Sequence, residues 1–259
     1  MGIGSLEKIT PQPFYGGTMA RSNKKRRGRV LHMQEERAQE TQIQRKNQVR
    51  LIPRNIAQEE YIANLHNESQ RIVFATGPAG TGKTYLAVQK AIQELKNCNS
   101  SHLIITRPAV TVDENHGFLP GDINKKMDPW TRPIFDVFEE YYTPKEVRMM
   151  VEDGVIEICP LAYMRGRTFK NATIIFDESQ NTTVAQMKMA LTRIGENSRM
   201  FVTGDINQSD LRCKNGLHDL FEKLQHTQSD VISITNFDRR HIERDPIVEE
   251  VLRCYGEED

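Results

Sequence analysis

Cysteine pairs at metal-ligand spacing, long apolar runs and a surplus of either charge are all missing from this chain. Its four cysteines, at positions 98, 159, 213 and 254, form no C-x-x-C pair. That argues against a zinc ribbon or a disulfide scaffold and leaves reduced thiols as the simpler expectation. No apolar stretch approaches the ~20 residues of a membrane span. The N-terminal residues also lack the charged-then-apolar order of a secretory signal, so a cytoplasmic protein with no membrane partner is expected. Lys plus Arg and Asp plus Glu are each 35, so no net field draws the whole molecule toward nucleic acid or away from it. Any such binding has to come from local patches.

What the chain does have is a glycine-rich loop in a specific setting. Arg71-Ile-Val-Phe-Ala75 is an apolar strand, and Gly77-Pro-Ala-Gly-Thr-Gly-Lys-Thr84 follows it as G-x-x-x-x-G-K-T. Leu86, Ala87, Ala91, Ile92 and Leu95 then recur at helical spacing. Strand, loop and helix in that order wrap backbone amides round the phosphates of a nucleoside triphosphate. Lys83 reaches the β- and γ-phosphates, the helix start adds its positive dipole end, and the Thr84 hydroxyl goes to Mg2+. The expected binding set is Gly77, Pro78, Ala79, Gly80, Thr81, Gly82, Lys83, Thr84 and Tyr85. ATP and GTP both remain open at this point, because the loop does not read the base, although no guanine-reading N-K-x-D occurs.

At 259 residues one main domain is the better expectation. Residues 1 to 50 hold few large apolar side chains, and Arg21 to Arg29 carries six basic residues and no acid. This N-terminal arm reads as flexible, with a polar helix somewhere in 34–48. A nucleic-acid-binding arm and a solubilising tail fit its composition equally. From 51 onward the pattern is that of a folded domain: Asn55 caps a helix with Gln58 at its third position and Tyr61, Ile62 and Leu65 on one face. Apolar, β-branched runs at 102–106, 155–159, 172–177, 199–204 and 231–237 alternate with helical or irregular stretches. That alternation describes an α/β fold, a parallel sheet with helices on both faces. Residues 108–145, rich in Gly, Pro and Lys, read as a loop-rich insertion.

Ala172-Thr-Ile-Ile-Phe-Asp-Glu178 is a second apolar strand, ending in two adjacent carboxylates. Asp177 is placed to hold Mg2+ through water, and Glu178 to orient or deprotonate an attacking water. A capping pair at a strand end is common, so the assignment draws its weight from the loop at 77–84. A further strand lies between the two motifs, and together with Glu178 it suggests the RecA-like group of P-loop ATPases rather than a small-molecule kinase or a GTPase. Thr203-Gly-Asp-Ile-Asn-Gln208 follows the next strand, expected beside the first. Gln208, with Asp205, is favoured as a γ-phosphate sensor over a merely polar turn, since open parallel sheets bind ligands beyond their strands' carboxyl ends.

These residues resemble the PhoH-like proteins, the phosphate-starvation-associated ATPases of bacteria and bacteriophages, over about 55 to 255. The resemblance rests on the loop at 77–84, Arg107-Pro-Ala-Val110, Gly117-Phe-Leu-Pro-Gly-Asp122, Pro160-Leu-Ala-Tyr-Met-Arg-Gly-Arg-Thr168, Asp177-Glu-Ser-Gln-Asn-Thr-Thr183, Gln186-Met-Lys-Met189, Leu191-Thr-Arg-Ile-Gly195 and Gly204-Asp205. It implies a RecA-like core related to superfamily 1 helicases, ATP as the nucleotide, and RNA binding or unwinding. It also lets Gln58 be read as an adenine contact, while a helix-capping Gln58 fits equally. Two departures stand out. Ser179 occupies a position where the family usually has Ala, and His241-Ile-Glu-Arg-Asp-Pro246 replaces a typical Asp-Val-Val-Arg-His-Pro stretch but keeps Arg244. The chain resembles a short form of the family, with neither the acidic constellation of a PIN nuclease nor a KH-type G-x-x-G loop in residues 1–54.

Helicases of this lineage place ATP between two lobes, one of which supplies an arginine, and only one lobe fits here. The expected solution is a homo-oligomeric ring, a hexamer, in which each subunit lends its neighbour an arginine. Arg244 is favoured, then Arg167, with Arg165 and Arg193 as further candidates. Single-stranded RNA is the expected partner, with Lys125, Lys126 and Arg132 on its phosphates and Trp130 either stacked on a base or packed between prolines. A nucleotide-dependent switch or assembly module acting on a protein partner is the alternative.

Overall fold

The computed structural model describes residues 48–108, 123–211, 215–225, 229–243 and 246–254. The basic stretch, the polar helix expected within 34–48, residues 109–122 and Arg244 fall wholly or almost wholly outside them.

The order is α1 (Ile56–His66), β1 (Ile72–Thr76), α2 (Lys83–Lys96), β2 (His102–Thr106), α3 (Ile123–Glu139), α4 (Pro144–Glu152), β3 (Ile156–Ile158), β4 (Ala172–Phe176), α5 (Val184–Leu191), β5 (Arg199–Gly204), α6 (Gly216–Leu224), β6 (Ile232–Asn236) and α7 (Pro246–Cys254). Among the described residues six strands form one parallel sheet in the order β3-β2-β4-β5-β1-β6. The inner strands read as nearly unbroken apolar runs because helices cover both faces. Successive side chains alternate between those faces. Phe74, Ile174, Phe176 and Val202 pack toward α5 and α6 with Met187, Ala190 and Leu217. Leu103, Ile105 and Ile175 pack with Val88, Ala91 and Ile92 of α2 and with Ile134 and Phe138 of α3. Val73, Ala75 and Phe201 meet α1 through Tyr61 and Leu65.

β5 lies between β1 and β4, with Thr76 opposite Gly204. The strand feeding the glycine loop and the strand ending in Asp177-Glu178 are therefore separated by the strand that carries the 203–208 turn. This is a RecA-like P-loop core, and all three strand ends open on the same carboxyl edge.

Local signals account for the helix starts. Asn55 accepts from the Gln58 amide. Thr143 with Glu146, and Thr183 with Gln186, form reciprocal capping boxes. The expectation of a loop-rich 108–145 needs correction where the chain is described: α3 fills 123–139 and α4 begins at Pro144. Within α3, Trp130, Ile134 and Phe138 recur on one face and pack with the α2 core, which outweighs the helix-breaking tendency of Pro129 and Pro133. Packing is thus the role shown for Trp130. Arg132 is exposed and engaged by carboxylates of its own helix, Asp136 at 2.7 Å and Glu139 at 3.7 Å. The side chains of Lys125 and Lys126 lie outside the described residues. Among the described residues no helix is long and apolar enough to cross a membrane.

Candidate active site

The loop leaves β1 through Gly77, and Gly77, Gly80 and Gly82 have φ of 134°, 82° and 81°. All three lie in territory that suits glycine. At Gly77 the requirement is doubled, since a Cβ there would sit 2.1 Å from the Phe237 carbonyl oxygen. The Gly77 amide donates to Gly204 O at 3.1 Å, and the Phe237 amide donates to Thr76 O at 2.6 Å. The loop's first residue is held between β5 on one side and the end of β6 on the other. Gly82 is the N-cap of α2 and supplies no capping side chain, so the first amides of that helix are available to an anion.

Lys83 is buried, and its ammonium donates to Gly77 O and Pro78 O, each at 2.6 Å, and to the Thr81 hydroxyl at 3.2 Å. Burial pulls its pKa below the usual lysine range, and the carboxylates of Asp205, Asp177 and Glu178 oppose that shift. The loop carbonyls hold the charge in this structure. The Thr84 hydroxyl donates to Asp177 Oδ1 at 2.9 Å, and the Thr203 hydroxyl to the same oxygen at 2.5 Å. A carboxylate and a hydroxyl side by side beneath a phosphate loop suit Mg2+, which takes few protein ligands and leaves its other positions to phosphate and water.

Glu178 follows with φ 52° and ψ 38°, a left-handed conformation for a non-glycine residue. Its Oε2 accepts from Gln180 Nε2 at 2.5 Å, and its Oε1 lies 3.6 Å from Arg107 Nη2 at the end of β2. Ala79, Gly80, Gly82, Lys83, Thr84, Tyr85, Asp177, Glu178, Gln180, Gly204, Asp205 and Gln208 line one cleft of about 310 Å³. The structure thus brings together most of the residues expected from sequence, including Gln208 and Asp205. Tyr85 stands at the cleft with its hydroxyl donating to Glu140 at 3.0 Å, and its pKa is pushed up to about 12 by burial and by that carboxylate.

Other expected residues sit elsewhere. Gln58 is buried beneath the loop, its Oε1 accepting from the Arg54 amide at 2.9 Å and its Nε2 donating to Thr81 O at 3.1 Å. Both ends of its amide are used on backbone. Arg167 forms a bidentate pair with Glu157 and lies over the Phe169 ring. Arg193 spans Met189 O, Arg167 O and the Thr192 hydroxyl. Arg165 is exposed. Arg244 is outside the described residues, although its neighbour Glu243 donates its amide to Gly80 O at 2.9 Å.

Sequence reasoning gave no role to Thr203, Arg107, Gln180 or the 237–243 segment. Thr203 was visible as a hydroxyl at a strand end facing the cleft. The others depend on contacts between distant parts of the chain.

A family model described as PhoH-like protein matches residues 50–256. Among similar proteins, the PhoH-like protein of Bacillus subtilis is 45% identical over 80% of this chain and 64% of its own length. The PhoH-like protein of Synechocystis is 44% identical over 76% and 60%, and Protein PhoH of Escherichia coli K12 is 41% identical over 80% and 58%. The chain therefore spans about three fifths of the length of the curated relatives it matches. A solved structure titled "Structure of C. elegans PCH-2" aligns at 14% identity over 72% of this chain and 44% of that one, with a TM-score of 0.29, too loose to bear on this fold or site. The matched model covers the loop, the cleft carboxylates Asp177, Glu178 and Asp205 and every described strand, and by that span the chain belongs to the PhoH-like protein family.

Proposed function

We propose that this protein binds and hydrolyses ATP with Mg2+, and that it works as an RNA-stimulated ATPase or RNA helicase in a cytoplasmic ring of identical subunits. The observation that carries the hydrolytic part is the convergence of Lys83, Thr84, Asp177 and Glu178 on one cleft, with Thr84 and Asp177 2.9 Å apart.

In this reading the Lys83 ammonium leaves Gly77 O and Pro78 O for the β- and γ-phosphate oxygens. Thr84 and, through water, Asp177 hold Mg2+, which neutralises charge building on those oxygens. Glu178 takes a proton from a water whose oxygen bonds to the γ-phosphorus as the bond to the β–γ bridging oxygen breaks, giving ADP and phosphate. Gln208 reports the presence of the γ-phosphate. The transition-state charge is met by an arginine from the neighbouring subunit, with Arg244 favoured. Arg167 would first have to leave Glu157. Such an arginine is worth about 10³–10⁵ in turnover, so a dissociated subunit hydrolyses slowly.

The test is turnover with and without single-stranded RNA on preparations of known oligomeric state, beside Lys83→Ala and Glu178→Gln. Lys83→Ala should lose nucleotide affinity, while Glu178→Gln should bind ATP and turn it over only at a small residual rate. Hydrolysis by Glu178→Gln at the wild-type rate would sink the hydrolytic reading. Turnover indifferent to RNA in the assembled protein would leave an ATP-dependent switch acting on a protein partner.

A further inference from the structure

Gln180 is among the least exposed polar residues near the cleft, and three of its hydrogen-bonding groups each reach a different piece of the site. Its Nε2 donates to Glu178 Oε2 at 2.5 Å, its Oε1 accepts from the Asp205 amide at 3.1 Å, and its backbone carbonyl accepts from the Ser209 hydroxyl at 3.1 Å. It is 3% exposed. The next residue continues the link: Asn181 Nδ2 donates to Asp210 Oδ2 at 3.1 Å while its Oδ1 accepts from the Asp210 amide at 2.9 Å. The short 3-10 turn Ser179–Asn181 is thereby stapled along the chain from Asp205 to Asp210. Gln208 lies within that chain and faces the same cleft.

We propose that Gln180 is a positioning residue for hydrolysis, fixing the Glu178 carboxylate to the 205–210 segment so that the aim of Glu178 follows that segment. The inference rests on the hydrolytic reading given above.

Two features make the strap consequential. Glu178 sits in a left-handed conformation, φ 52°, which a non-glycine residue keeps only where its surroundings hold it. Its carboxylate is also contested: Gln180 holds Oε2 while Arg107 attracts Oε1 from 3.6 Å. A carboxylate freed from Gln180 is drawn toward the Arg107 guanidinium. With Gln180 in place, Oε1 stays 3.6 Å from Arg107 Nη2, beyond hydrogen-bond reach, and is left for water. A misplacement of about 1 Å at such a base costs about 10²-fold in rate.

Gln180→Leu breaks both side-chain links at similar volume. Gln180→Glu keeps an oxygen to accept the Asp205 amide but removes the donor and sets a second negative charge against Glu178. Measured by single-turnover release of labelled phosphate, both variants should lose about tenfold to about a hundredfold in the chemical step. Affinity for a non-hydrolysable ATP analogue should stay within about twofold, because the amide's hydrogen bonds go to Glu178 and the Asp205 backbone and not to the phosphate loop. In a Glu178→Gln background, Gln180→Leu should have no further effect, whereas a structural role independent of Glu178 would multiply the two losses. Wild-type rates in Gln180→Glu, or a full additional loss in the Glu178→Gln background, overturn the proposal. If Gln180→Leu does not fold, the rate of Gln180→Glu decides. Failure of the hydrolytic reading itself would appear separately, as a wild-type protein no faster than Glu178→Gln.

Discussion

Glu243 donates its backbone amide to the carbonyl oxygen of Gly80 at 2.9 Å, tying the chain beyond the last strand to the middle of the phosphate loop. The Glu243 carboxylate also accepts from Asn55 Nδ2 at 3.0 Å, the same Asn55 that caps α1. Loop, first helix and post-β6 segment therefore meet at one point.

Glu243→Pro removes the donated amide, whereas Glu243→Ala keeps it and removes only the carboxylate. A net hydrogen bond of about 1 kcal/mol is about a fivefold change in an equilibrium constant. Nucleotide affinity measured by titration should fall by about that factor in Glu243→Pro and stay near wild type in Glu243→Ala. Equal losses in the two would place the effect on the Asn55 contact instead.

Gln58 braces the loop through Thr81 O. Gln58→Leu, of similar size, should weaken ATP and GTP binding by the same factor, about tenfold. A residue reading adenine would lose ATP affinity alone, so parallel titrations with the two nucleotides separate the roles.

Ser179 is fully buried, and its hydroxyl has no hydrogen-bond partner among the described residues. Ser179→Ala removes an uncompensated polar group in a position where alanine fits the volume, and should stabilise the fold by about 1 kcal/mol. Urea unfolding of the two proteins reads this directly, and a less stable Ser179→Ala would mean that the hydroxyl is satisfied.

His66 has its pKa held below the ordinary histidine value, chiefly by burial and then by the cations of Lys90 and Arg199. The Lys90 ammonium lies 3.3 Å from His66 Nδ1. The unfolded chain therefore takes up this proton at a pH where the folded chain does not, so stability rises as pH climbs through the window between the depressed value and about 6.5. His66→Gln should flatten that part of a stability profile recorded from about pH 5 to about pH 7.5. An unchanged profile would show that folding does not lower the His66 pKa.

Much of the site was legible because its signals are local. The glycine loop, the strand ending in Asp177-Glu178 and the Asn55 cap are each set by a few adjacent residues, and the parallel sheet follows from apolar runs covered on both faces. α3 was missed because Pro129 and Pro133 argue against a helix, while the packing of Ile134 and Phe138 that overrides them is a tertiary fact. Gln180 and Glu243 were missed for a related reason. Their partners, Asp205 and Gly80, are far away in the chain and leave no periodic trace in it. Gln58 shows the converse: its position as third residue of a helix was legible, yet the Thr81 carbonyl it supports was not.

The carbonyl of Phe237 also bears on how variants of this site are to be judged. With that oxygen 2.1 Å from where a Cβ on Gly77 would stand, a Gly77→Ala protein collides with its own chain before any ligand arrives. Loss of nucleotide binding in such a protein would report a displaced β6 connection rather than missing phosphate contacts. Thr84, whose hydroxyl meets Asp177 in the cleft, is a position at which chemistry can be removed with less disturbance, whereas Lys83 also ties Gly77 O and Pro78 O of the loop.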